Sequence, residues 1–348
     1  MPDPEAFQLP PESLSALQRG VPFSELREAS RHESQRLTPL LFSLWKSERL
    51  EVLRSWGGLL EPPVSSKYSE GGCLLPDDLL RLAARPVQTT LRIATWNVNS
   101  IRSRLPNILR WLEDHQLDVI GLQETKTEDQ FFPSEEFENL GYTLAIYGQK
   151  TYNGVALLSR FPLAEVRKGF QNGYDPENAR LISAEVQGIR IINAYVPQGQ
   201  TVESDKFRYK LEFLEQFRKE LKMISGHQPL LVMGDFNIAP EARDLASPEA
   251  MAGKVSFHPD EHAWLRQVQQ LGFEDLFRKY ESGDSHYSWW DYRTRGFERG
   301  DGMRIDYILA NAEARKVCKA CWIDVEPRMA SKPSDHAPVI CELEWVCS

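Results

Sequence analysis

From Leu91 onward the chain is a series of short apolar runs rich in β-branched residues, each closing on a polar side chain, and this rhythm limits it to sheet-containing folds. The runs are LRIATWNVN, DVIGLQE, TLAIYG, GVALLSR, RIINAYV, PLLVMGDFN, RIDYILA and PVICELEW. Each has the length of a strand and is short for a helix. Helical patterns lie between some of them. Leu105, Ile108, Leu109 and Leu112 share one face, with Pro106 expected in the first turn, where its missing N–H costs nothing. Phe207, Leu211, Leu214, Phe217 and Leu221 step by 4, 3, 3 and 4 along a second. Strands alternating with helices predict an α/β domain whose helices cover sheet faces. The strand-rich halves on either side of about residue 200 suggest two packed sheets.

The first 90 residues differ. Between Pro39 and Trp56, the positions Leu41, Leu44, Trp45, Val52, Leu53 and Trp56 fall mostly at helical spacing and predict one amphipathic helix. Gly57 and Gly58, Pro62 and Pro63, Ser65 and Ser66, and Gly71 and Gly72 then read as a linker. A short helix is expected over residues 77–84, ended by Pro86. Residues 1–90 are thus read as an extension, a docked helix plus a tether with no legible partner, and residues 91–348 as the domain that carries the chemistry.

No apolar run approaches the roughly 18 residues that cross a bilayer, so no membrane association is expected. The start MPDPEAFQLPPE has acidic groups and prolines where a signal peptide needs a basic start and an apolar stretch. Five cysteines, at 73, 318, 321, 341 and 347, fit free thiols in a reducing compartment, and the cytoplasm is the expected location. Cys318 and Cys321 form C-x-x-C without a second ligand pair at zinc spacing. A net charge of -9 argues against attachment to nucleic acid through overall basicity but leaves room for local basic surfaces.

The residues that close the apolar runs carry the functional information. Asn97 follows RIATW, Glu124 follows DVIGLQ, Tyr195 follows RIINA, Asp235 and Asn237 lie in GDFN, Asp306 follows MRI, and Asp335 with His336 precedes the last strand. Ligands of α/β sheets gather at the carboxyl ends of strands, so these groups are expected to converge in one cleft. Taken singly, each has an ordinary explanation as a turn, cap or structural residue. Together they offer hard oxygen ligands, with no thiolate nearby, of the kind that suits magnesium or manganese and phosphoryl chemistry.

The segments IATWNVNSIR, DVIGLQETK, NGVALLSR, INAYVPQG, GDFNIAP, WWDYRTRGF, GMRIDYILA and SDHAPV occur in that order. Ordered in this way they resemble the motifs of exonuclease III type apurinic/apyrimidinic endonucleases of the endonuclease/exonuclease/phosphatase superfamily. The resemblance runs from about Leu91 to the C-terminus and does not cover residues 1–90. It implies a four-layer α/β sandwich, two mixed sheets packed face to face with helices outside. It also implies a metal-dependent, magnesium-using nuclease that cuts duplex DNA 5′ to abasic sites, has 3′→5′ exonuclease activity and works as a monomer. By the same resemblance Glu124 is the principal metal ligand, with Asn97, Asn99 and Asp335 near the metal, and the metal set extends to Asp235, Asn237 and His336. Part of the family carries Asp where this chain has Asn99, which removes one carboxylate from that position. Asp235 handles the attacking water, Asn237 and Tyr195 contact phosphate, and His336, paired with Asp306, donates to it.

Between Tyr287 and Arg304, the rings of Trp289, Trp290, Tyr292 and Phe297 interleave with Arg293, Arg295, Arg299 and Arg304. Aromatic faces and guanidinium groups together suit nucleic acid, while the plainer reading is buried Trp and a solvated charged loop. The resemblance makes Trp289, Met303 and Ile305 the walls of a pocket for a base-less deoxyribose, and Lys150, Tyr152 and Arg180 contacts to the duplex. Two rival functions use the same residues differently. One is a superfamily phosphoesterase acting on phospholipid or inositol phosphates, and the other is a non-catalytic DNA-binding protein.

Overall fold

Strand pairing sorts the apolar runs into two six-stranded sheets. A computed structural model of the chain describes residues 87–347 apart from 225 and 227. The helix expected over residues 39–56, the linker, the helix over 77–84 with Pro86, and Cys73 all lie outside the described residues.

The first sheet has the order β13 (Cys318–Ile323), β14 (Val339–Cys347), β1 (Val87–Asn97), β2 (Val119–Gln123), β4 (Val155–Ser159), β3 (Thr143–Tyr147). The second runs β5 (Ala164–Lys168), β6 (Leu181–Val186), β7 (Ile189–Tyr195), β8 (Leu230–Asp235), β12 (Asp306–Ala310), β9 (Glu274–Asp275). A two-stranded ribbon joins β10 (Trp289–Trp290) to β11 (Gly302–Met303). Both sheets are mixed: β1 with β2 and β7 with β8 are parallel, whereas β2 with β4 and β8 with β12 are antiparallel. The division expected near residue 200 is corrected. The second sheet is built from residues 164–310, and the first is completed when the C-terminal hairpin β13–β14 returns to lie beside β1. Strands β5, β6 and β13 were not legible as apolar runs. All five residues of β5 are exposed, as befits a charged edge strand that discourages pairing with another chain.

Alternation along each strand separates the layers. Ile93, Val119, Leu157, Ile182, Ile191, Met233 and Ile308 fill the space between the sheets. Their neighbours in sequence face outward. Trp96, Ile120 and Leu158 meet Ile108, Trp111 and Leu112 of helix α1 (Ile101–His115). Val232, Tyr307 and Leu309 meet Phe213, Phe217 and Leu221 of α2 (Asp205–Ile224) together with Trp264 and Val268 of α3 (Pro259–Gln270). The result is helix, sheet, sheet, helix, the expected four-layer sandwich. Pro106 lies inside α1 and, because the helix starts at Ile101, falls in its second turn instead of its first. Its ring is on the exposed face, where water can reach the Arg102 carbonyl left without a helical donor.

Candidate active site

Strand parity decides which polar termini meet. Leu91 and Ile93 point between the sheets, so Asn97, an even number of residues further along β1, does as well. The same rule carries Ile191 to Tyr195 on β7 and Met233 to Asp235 on β8. Strand β12 begins where antiparallel β8 ends, which puts Asp306 opposite Asp235. One polar edge results, formed by the carboxyl ends of β1, β2, β7 and β8 and by the starts of β12 and β14.

Two glycines make the edge sterically feasible. A Cβ on Gly121 would lie 2.7 Å from Met233 and 2.8 Å from Asn193, where the sheets approach closely. A Cβ on Gly234, which has φ +149, would lie 1.9 Å from the Ala194 carbonyl oxygen, so the glycine of GDFN lets β8 lie against β7. Beneath the edge, Gln123 Nε2 donates to Thr95 Oγ1 at 2.8 Å, and Asn193 Nδ2 donates to the Leu122 and Ala156 carbonyls at 2.9 and 3.0 Å. This buried amide cluster locks one sheet to the other.

Glu124 and Asn237 both have φ 52, in the left-handed region that Glu rarely adopts. Neighbouring backbone holds Glu124 there, since Ser100 N donates to its carbonyl at 2.8 Å and Thr125 N donates to Gly154 O at 3.1 Å. Strain sustained by surrounding bonds is typical of functional positions. Asn97 Nδ2 then donates to both Glu124 Oε1 (2.8 Å) and Asp235 Oδ2 (2.9 Å). Asn237 N donates to Asp235 Oδ1 at 2.9 Å, and the Tyr195 hydroxyl hydrogen-bonds Glu124. His336 Nδ1 lies 2.8 Å from Asp306 Oδ2, while its Nε2 faces Asp235 Oδ2 at 3.8 Å.

Electrostatics separates the roles of these groups. Burial, reinforced by the Asp306 and Glu124 charges and opposed by His336, pushes Asp235 up to about 7. Burial alone would lower His336, but the Asp306 and Asp235 carboxylates outweigh it and push its pKa up to about 10. Burial likewise works to raise Glu124, and the Lys126 charge with the Asn97 hydrogen bond overcomes it, so its carboxyl stays below the usual glutamate value. Burial and the Glu124 and Asp235 charges raise the Tyr195 hydroxyl well above an ordinary phenol. At neutral pH the edge therefore holds an ionised Glu124, a charged imidazolium and an Asp235 poised to exchange a proton.

The donor set fits a hard divalent cation. Glu124, Asp235 and His336 each bring one atom within 4.8 Å of the others, the two carboxylates being the groups that would supply ligand oxygens while the charged His336 ring borders them. Lys126 Nζ sits 2.7 Å from Glu124 Oε2 and 2.5 Å from Asn99 Oδ1, a positive group already drawn among these oxygens. Asn99 Nδ2 in turn donates to Asp335 Oδ1 at 2.9 Å.

Trp289 and Met303 face each other across the β10–β11 ribbon. They pack with Met251 and Phe257 on the buried cluster of Ala239, Leu245 and Ile305, so the three expected pocket residues do come together. The surrounding aromatic and basic stretch divides in two. Trp290 is buried edge-on to Phe297 at 5.0 Å, with the Arg328 guanidinium over both rings. Arg304 is fully buried, 2.6 Å from both Asp244 and Asp275. The reading of this stretch as one nucleic-acid surface is corrected for Trp290 and Arg304, which are held inside by ring packing and ion pairs, while Phe297 is half-buried against Trp290. Arg293 and Arg299 are exposed and paired with Asp291 and Asp301.

On the opposite flank, Glu124, Lys126, Tyr152, Arg180, Tyr195 and Tyr209 line part of a cleft of about 460 Å³. Tyr152 is 69% exposed and Lys150 lies exposed beside it, both free to meet a ligand on that side. The Arg180 guanidinium lies 4.7 Å over the Tyr195 ring. Sequence reasoning passed over Lys126, although it stands two residues beyond Glu124 in QETK, and over two serines. Ser288 Oγ donates to Asp306 Oδ2 at 2.7 Å and accepts from the backbone N–H groups of Ile305 and Asp306. Ser334 Oγ donates to Asn97 O at 2.7 Å and accepts from His336 N. Ser334 opens the SDHAPV segment, which is the signal that could have found it, whereas Ser288 lies just before WWDYRTRGF and nothing local marks its contacts across the fold.

Known proteins share this architecture. Residues 94–336 match the model of the Endonuclease/Exonuclease/phosphatase family. The chain is 36% identical over 267 residues to exodeoxyribonuclease III of Haemophilus influenzae, covering 73% of this chain and all of that relative. Among solved structures, an AP endonuclease from Archaeoglobus fulgidus is 40% identical with a TM-score of 0.71, over 73% of this chain and all of that one. A variant of the 3′ phosphatase NExo from Neisseria, bound to a product DNA hairpin, is 36% identical with a TM-score of 0.72, again over 73% of this chain and all of that one. With the fold, the polar edge and full-length relatives in agreement, the chain belongs to the Endonuclease/Exonuclease/phosphatase family, whose chemistry depends on a divalent metal.

Proposed function

We propose that this protein is a magnesium-dependent DNA repair nuclease that hydrolyses the phosphodiester 5′ to abasic sites in duplex DNA and removes nucleotides from 3′ ends. The observation that carries this reading is the convergence of Asp235, Glu124 and the Asp306–His336 pair on one point. That point adjoins the apolar pocket of Trp289, Met303 and Ile305.

Glu124 is the principal residue that would hold the metal, with Asn97, Asn99, Asp335, Asp235 and Asn237 around it. When bound, the cation supplies positive charge for the phosphate oxygens and the departing 3′ oxyanion, and manganese would serve in its place. Asp235, ionised above its raised pKa, takes a proton from the attacking water, while Asn237 N–H at its other oxygen fixes its orientation. His336 was expected both as ligand and as donor. With Nδ1 committed to Asp306 and the ring charged, it serves as the donor, presenting Nε2–H to a non-bridging oxygen as negative charge builds there. The Tyr195 hydroxyl, kept protonated with its single O–H on Glu124, serves as a second donor once that O–H turns from Glu124 to the phosphate.

The sugar pocket supplies selectivity, since an extruded base-less deoxyribose is small and partly apolar whereas an intact nucleotide must bring its base. Lys150, Tyr152 and Arg180 contact the duplex on the other flank. One copy of the chain contains the whole catalytic set, consistent with a monomer. No described helix is long and apolar enough to cross a membrane. Cys318, Cys321 and Cys341 are free thiols, in keeping with the cytoplasm.

The test is cleavage of end-labelled duplexes, one with an abasic analogue and one intact, with and without magnesium, beside an inositol phosphate control. Magnesium-dependent incision 5′ to the analogue is expected. Inositol phosphate turnover without incision of DNA would move the protein to another branch of the superfamily.

A further inference from the structure

Behind the polar edge lies an ion pair that the chemistry above does not use. Lys210 of α2 and Glu261 of α3 have side chains with no exposed surface, and Lys210 Nζ lies 2.5 Å from Glu261 Oε1. The ammonium also donates to Asn237 O at 2.8 Å and to Gln198 O at 3.3 Å. Three acceptors for three N–H groups leave it fully satisfied, as a buried charge requires. Glu261 is anchored in turn, accepting from Ser256 N at 3.1 Å and from His258 N at 2.9 Å at the start of α3.

The two carbonyls belong to the loops that leave β7 and β8, which carry Tyr195 and Asp235. Asn237 is the residue whose backbone sits at φ 52 and whose N–H meets Asp235 Oδ1. Gln198 belongs to the wall of the cleft on the other flank. Gly199, with φ +98, has room for no larger residue without crowding Lys210, since a Cβ there would stand 3.2 Å from Lys210 Cδ.

We propose that Lys210 is a positioning residue for phosphodiester hydrolysis: its buried ammonium fixes the main chain at Asn237 and Gln198 and so sets the orientation of Asp235 and Asn237 toward the reacting phosphate. An apolar side chain of similar length would fill the volume without holding either carbonyl. A displacement of the order of 1 Å in such groups lowers turnover by about 100-fold. DNA affinity depends mainly on surfaces that Lys210 does not touch.

The test separates this role from a purely structural one by using three variants of the full chain, read by thermal melting, affinity for an abasic-analogue duplex, and single-turnover incision. Lys210→Met should slow incision by about 10- to 100-fold with affinity changed less than about threefold, and should melt earlier because Glu261 is left buried and unpaired. Lys210→Met with Glu261→Gln removes both charges and keeps one acceptor at the start of α3. It should recover much of the melting temperature and none of the incision rate. Glu261→Gln alone leaves the ammonium on both carbonyls, so it should melt earlier yet keep the rate within about threefold. A double variant that incises at the wild-type rate, or that fails to fold, overturns the proposal. So does a Glu261→Gln protein as slow as Lys210→Met.

Discussion

Trp289 donates its indole N–H to Asp335 Oδ2 at 3.1 Å, so a wall of the apolar pocket is tied to a carboxylate of the polar edge. The other Asp335 oxygen accepts from Asn99, whose own oxygen meets Lys126. Pocket and polar edge are therefore mechanically linked, and substitutions in either are read best by measurements that separate binding from turnover.

Glu124→Gln and Asp235→Asn should fail in different ways. Removing the Glu124 charge weakens cation affinity, so raising magnesium should recover part of the rate. Removing the proton acceptor at Asp235 should cost about 10²–10⁴-fold with no such recovery. Magnesium titration of both variants is the check, and equal rescue would reject the division of labour.

Turnover should follow a bell-shaped dependence on pH. Asp235 works ionised and is pushed up to about 7, so the rate rises through that region, at lower pH when a bound cation favours the carboxylate. His336 works protonated and is pushed up to about 10, so the rate falls beyond it. Asp306→Asn removes the partner that raises His336 and should bring the alkaline limb down in pH. An unmoved limb in that variant would remove Asp306 from the role.

The same imidazole affects stability. Its folded pKa exceeds the ordinary value of 6.5, so its contribution is complete below that pH and is lost as pH rises through about 10. The melting temperature of metal-free protein should fall across this window, and His336→Asn should flatten the fall. Equal slopes for the two proteins would contradict the buried charged pair.

Trp289→Ala should lower the ratio of abasic-site incision to cleavage at normal nucleotides, because it removes packing against the sugar and eases the steric exclusion of a base. Arg304→Leu should behave otherwise. It leaves Asp244 and Asp275 without their buried partner and should destabilise the protein by about 3–5 kcal/mol, lowering both activities together. Melting curves beside both rates distinguish the cases, and a stable Trp289→Ala protein with an unaltered ratio would remove the pocket from substrate choice.

A chain beginning near Pro86, where β1 is about to start, should fold and incise, since every residue of the polar edge lies at or beyond Asn97. If the predicted helix bearing Leu41, Trp45 and Trp56 docks on the domain, the shortened protein melts earlier and exposes an apolar patch. Folded, soluble protein without incision would assign residues 1–90 a part in the site.

Local pattern in the sequence determined the strands that close on Asn97, Glu124, Tyr195 and Asp235, because a period of two with a polar terminus is written in consecutive residues. The motif order brought out the family and with it the four layers. Pairing between distant segments was not written locally. The return of β13–β14 to the edge of β1, and the antiparallel start of β12 opposite Asp235, depend on which strands find each other in space. Tertiary contacts alone took Arg304 out of the aromatic and basic stretch into a buried ion pair and gave Ser288, Ser334 and Lys210 their places behind the polar edge. Burial and the proximity of charges, which no linear pattern encodes, then set Asp235 near neutrality and kept His336 charged.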